Sequence, residues 1–71
     1  MTDLTGMLPV TRFTLEVLTD CAQREVRERR RRFPNRILTG RMSHAFAREE
    51  IDKMVAIAEI LHALAQKEKL L

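Results

Sequence analysis

The feature that most constrains this chain is the stretch from Ser43 to Lys67, whose apolar residues outnumber what one neighbouring helix could cover. Ala47, Ile51, Met54, Ala58, Leu61 and Ala65 follow one another at spacings of four, three, four, three and four, an a/d seam about three heptads long. At roughly 100° per residue, Phe46, Ile57, Ile60 and Leu64 fall to one side of that seam and widen the apolar sector to about half the circumference. Such a helix needs at least two neighbours. A second helix of the same chain can cover the seam, and the adjoining row of Phe46, Ile57, Ile60 and Leu64 is then the expected interface of a homodimer.

Self-association also answers a problem of size. Seventy-one residues make one domain at most, and chains this short are marginal unless a disulfide, a metal or a second chain supplements the core. Cys21 is the only cysteine, which excludes an internal disulfide, and no Cys/His pair has zinc-ligand spacing. The N-terminus carries neither a basic segment nor a long apolar run, so the expectation is an intracellular, soluble chain with no signal peptide and no membrane span.

Residues 1–10 read as an N-terminal arm, with Gly6, Pro9 and no helical period, whose Leu4, Met7 and Leu8 are available to pack. Residues 11–71 read as a single helical-hairpin domain. Thr11 is the expected N-cap of the first helix, with Val10 and Leu15 in the positions of a hydrophobic staple. The apolar stripe that follows is Leu15, Leu18, Ala22, Val26 and Phe33, with Arg29 in the same line one turn before the phenylalanine. Asp20 with Arg24, Glu25 with Arg29 and Glu28 with Arg32 are acid-before-base pairs four residues apart, each worth about 0.2–0.5 kcal/mol to a helix. Pro34 lacks an amide donor and disfavours the α conformation of Phe33, so the helix is expected to end or kink near Arg32, with a short further turn to Leu38. Gly40 is placed for a left-handed C′ position and Ser43 for the cap of the second helix, which should run to Lys67 or Glu68.

The expected fold is therefore all-α, a helical hairpin that assembles as a dimeric four-helix bundle. Its core is Leu15, Leu18, Ala22 and Val26 against Ala47, Ile51, Met54, Ala58, Leu61 and Ala65.

Charge is unevenly spread along this hairpin. Between Arg24 and Arg41 eight arginines stand against Glu25 and Glu28, a local charge of +6 in a chain of net +3, which leaves −3 for the remainder. Arg24, Arg27 and Arg31 project away from the core stripe, and Arg30, Arg36 and Arg41 extend the basic surface. Guanidinium groups suit carboxylate and phosphate partners, so the face could grip an acidic protein, DNA phosphates or acidic lipid; it could also be a solvated face satisfied by Glu25 and Glu28. Arg29 either snorkels to the edge of the apolar line or pairs with an acid such as Glu50. Phe33 either joins the core or anchors a partner.

Catalysis needs a nucleophile, an acid/base pair or a metal at fixed geometry, and the inventory is thin. His44 and His62 stand 18 positions apart without carboxylates arranged to share a ligand, and Gly6 and Gly40 make no phosphate loop. The expectation is no enzyme, no cofactor, no metal and no small-molecule substrate.

Arg32-Phe33-Pro34, then Gly40-Arg41-Met42, Ala47, Glu50-Ile51 and Met54 form a pattern that resembles a group of small bacteriophage and prophage helical proteins. The resemblance spans Arg24 to about Leu61, half of the chain, and does not reach the helix before Arg24. Phe33 stands where that group commonly has tyrosine. The pattern carries no catalytic residue. It implies an accessory protein that works in the cytoplasm of a bacterial host, where it binds and inhibits or redirects a host protein, and the chain is similar to phage anti-activators that block a LuxR-type quorum-sensing regulator. The partner-binding residues under that reading are Arg24, Arg27, Arg30, Arg31, Phe33, Arg36 and Arg41. A small basic DNA-binding dimer and a structural assembly subunit are the alternatives.

Overall fold

A computed structural model describes residues 10–70, in which two helices pack against each other as a hairpin. Helix α1 spans Leu15–Leu38 and α2 spans His44–Lys69. The expected contacts of Leu4, Met7 and Leu8 lie outside the described residues. Among the described residues no helix is long and apolar enough to cross a membrane.

The start of α1 differs from expectation. Thr14, not Thr11, is the N-cap, its hydroxyl accepting from the Val17 amide at 3.1 Å, while Thr11 accepts from Phe13 at 3.4 Å outside the helix. Electrostatics favours the later start. A helix capped by Thr11 would place Arg12 at its positive end, whereas capping by Thr14 places Glu16 there.

Of the two outcomes expected near Phe33-Pro34, an end or a kink, the end does not occur. Helix α1 runs through Pro34 to Leu38. The missing proline amide would have bonded the Arg30 carbonyl, and both residues are exposed, so water can satisfy that oxygen. Beyond the proline the final turn is closed firmly. Gly40 donates to the Ile37 carbonyl at 3.1 Å and Arg41 to Arg36 at 2.9 Å, the paired bonds of a Schellman motif, and the Thr39 hydroxyl donates to Asn35 at 3.0 Å.

Gly40 takes φ +75°, as its C′ place requires. A Cβ there would meet nothing within 4 Å, so Gly40→Ala should cost the backbone term alone, about 1–2 kcal/mol. A lower urea midpoint with an unchanged m-value would register that cost. Three residues later Ser43 caps α2, its hydroxyl accepting from the Phe46 amide at 3.1 Å.

The two stripes meet as the spacing predicts. Ala22, Val26 and Ala58 form the buried centre, with Met54, Val55 and Leu61 packed against them. Ala47, Ala65 and Phe33 are buried on either side, and Leu15, Leu18, Ile51 and Met54 are half-buried. Alanines at the contact let the helices approach closely, but they bury little apolar area. Thr19 also lies in the core line, its hydroxyl satisfied by the Leu15 carbonyl at 2.7 Å. No described side chain is fully enclosed.

Candidate protein-docking surface

The acids of α1 decide which of its arginines are free. Glu25 is held by Arg29, whose Nε lies 3.1 Å from Oε1. The same guanidinium donates across the hairpin to the Glu50 carbonyl at 2.7 Å and lies 3.9 Å from the Glu50 carboxylate. Glu50 in turn meets Lys53 at 3.2 Å. Of the two readings open for Arg29, pairing is the one realised: with its side chain 26% exposed, it stitches α1 to α2 at the edge of the core.

Glu28 is occupied as well, by Arg31 at 2.8 Å and Arg32 at 3.3 Å. The Arg31 hydrogen bond outweighs the opposing effect of burial and, with the nearby charges of Arg31, Arg32 and Arg27, holds the Glu28 carboxyl below its ordinary range. Both expected pairs, Glu25 with Arg29 and Glu28 with Arg32, are therefore present, and Arg31 joins the second. The third, Asp20 with Arg24, is not formed. Among the described residues Arg24, Arg27, Arg30 and Arg41 have no acid partner.

These side chains do not make one flat patch. Helical phase puts Arg24, Arg27 and Arg31 on the exposed side of α1 opposite the core. Arg30 turns to one flank, where it lines an open groove of about 650 Å³ with Phe33, Ile37, His44, Arg48 and Asp52. Arg27 and Arg30 both reach a second groove on that flank, about 320 Å³, beside Val26, Val55, Glu59 and His62. Arg36 lies on the opposite flank, its guanidinium carbon 5.6 Å from the centre of the Phe33 ring, and Arg41 belongs to the exposed turn. Phe33 is only 8% exposed, so it fills the space between the helices and does not project toward a partner.

Arg48, which sequence reasoning did not single out, shares the larger groove with Arg30 and also has no acid partner among the described residues. Its signal was absent from the sequence because the two arginines meet only once the hairpin closes.

The row Phe46, Ile57 and Ile60 is 55%, 47% and 62% exposed, and Leu64 is half-buried. Ile57 and Leu61 also line a groove of about 400 Å³ whose α1 wall is Leu18, Cys21 and Ala22 together with Arg24, Glu25 and Glu28. Comparison with protein-family models, curated proteins and solved structures finds no match to this chain.

Proposed function

We propose that this chain is a homodimeric helical-hairpin module that binds an acidic surface of another protein and thereby inhibits or redirects it. The observation that carries this reading is the commitment of Glu25 and Glu28 to Arg29, Arg31 and Arg32, which leaves Arg24, Arg27 and Arg30 exposed with no ion pair among the described residues. Glu28 neutralises one arginine of the outward face, Arg31, and the two acids leave Arg24 and Arg27 of that face without an ion pair. Guanidinium forks without partners suit paired carboxylates on a second protein.

Dimerisation fits the same arrangement. Alanines dominate the hairpin core, Phe46, Ile57 and Ile60 are exposed, and two hairpins joined through that row make a four-helix bundle that leaves Arg27 and Arg30, on the other flank, open. The resemblance of Arg24 to Leu61 to phage proteins makes a bacterial transcription regulator of the LuxR type the first target to try.

Capture from bacterial lysate by the wild-type protein and by Arg27→Glu/Arg31→Glu tests the basic face. The wild type should retain a protein that the variant loses, with both equally helical; equal recovery removes the arginines from the account. DNA phosphates are the second reading, favoured by the spacing of Arg24, Arg27 and Arg31 along one helical face. It requires duplex of arbitrary sequence to be bound at about 50 mM salt and released steeply as salt rises. The absence of any shift at low salt eliminates it.

A further inference from the structure

We propose that one flank of the hairpin seats an amphipathic helix of the partner protein, its apolar stripe on the seam between α1 and α2, its carboxylates against Arg27 and Arg30, and its lysines or arginines against Asp52 and Glu59. This rests on the protein-binding reading above and names the kind of segment that is bound.

Charges of both signs face this flank, and they are sorted by wall. The α1 wall carries Arg27 and Arg30 and no acid, whereas the α2 wall carries Glu49, Asp52 and Glu59 against the single base Arg48, a charge of +2 facing one of −2. On the opposite flank such charges close the seam, because Arg29 reaches from α1 to Glu50. Here no such bridge forms. Among the described residues none of these six side chains makes an ion pair, so both walls keep their hydrogen-bonding groups for a third element.

Between the walls the floor is apolar. Val26, Phe33 and Ile37 of α1 line it with Ile51, Val55 and Ala58 of α2, along two grooves that share Arg30. From His44 at one end to His62 at the other the floor is about 27 Å long at 1.5 Å per residue, the length of a five-turn helix.

An extended segment fits this floor badly. Its amides and carbonyls would lie over helices whose own backbone groups are already bonded, save the Arg30 carbonyl that Pro34 leaves open. A helix arrives with its backbone satisfied and anchors through an apolar stripe. The sorted walls then fix the chemistry of its two edges, because a uniformly acidic helix would set one edge against Asp52 and Glu59, and a uniformly basic one against Arg27 and Arg30.

Fluorescence anisotropy with three labelled synthetic helices of about 18 residues tests the seat. All share a leucine stripe; one has glutamates along one edge and lysines along the other, the second glutamates on both edges, the third lysines on both. The wild-type hairpin should bind the mixed peptide about tenfold tighter than either of the others. Asp52→Lys/Glu59→Lys changes two exposed side chains without ion pairs, so it should keep its circular dichroism and shift its preference to the all-glutamate peptide. A wild type that binds the all-glutamate peptide as tightly as the mixed one, or binds none, overturns the inference, as does a variant whose preference stays put. Serines in place of the leucines should abolish binding, and retention would reduce the contact to charge alone. Wild-type dimers that Asp52→Lys/Glu59→Lys dissociates would put a second copy in the groove and sink the proposal. Capture from lysate that depends on Arg27 and Arg31 while the peptides go unbound removes the seat and leaves the protein-binding reading standing.

Discussion

Phe33→Ala is expected to leave the chain unfolded or molten at room temperature, with most of its helical circular dichroism lost. Removing a buried phenylalanine costs about 3–5 kcal/mol, and one hydrophobic core in a chain of this size supplies only about 3–5 kcal/mol in all. Phe33 is the largest side chain in a core otherwise built of Val26 and alanines. It sits where α1 passes through Pro34, beneath the Arg36 guanidinium. Phe33→Leu should stay folded with a lower urea midpoint. A folded Phe33→Ala that had lost only partner binding would make the ring a docking anchor instead.

Ile57→Glu separates an exposed row from a covered one. On an isolated hairpin the change should be harmless, because a glutamate there would follow Lys53 by four residues on an exposed helical surface and cost little. Between two copies it would bury carboxylates without partners, which costs several kcal/mol in a dimer. The expected result is dissociation accompanied by loss of helix, since half a bundle cannot hold itself. Circular dichroism and sedimentation on the same sample read both effects. A compact, fully helical monomer would show that the hairpin core suffices.

Much of this fold was legible in sequence because its signals were periodic. The a/d spacing from Ala47 to Ala65 and the stripe from Leu15 to Val26 gave the hairpin, and Ser43 and Gly40 marked the turn through chemistry that admits few alternatives. The departures, a later cap for α1 and a helix that does not end near Arg32, arose where two local signals competed. Thr11 and Thr14 are both competent caps, and the choice depended on whether Arg12 or Glu16 fell in the first turn. Pro34 is a strong interruption by itself, yet its lost hydrogen bond falls on an exposed carbonyl and the next turn is closed by Thr39, Gly40 and Arg41. The docking surface was less legible. Its arginines could be counted, but which of them are free depends on Glu50 reaching Arg29 across the hairpin, and the pairing of Arg30 with Arg48 in one groove appears only in three dimensions.

The dimer proposed through the row on α2 depends on one claim, that this hairpin is half of a bundle. Sedimentation equilibrium of the wild-type protein at micromolar concentration tests it most directly. The account predicts a single species of twice the 8.3 kDa chain mass, dissociating only as helix is lost. A species of 8.3 kDa that keeps its full helical content would contradict it.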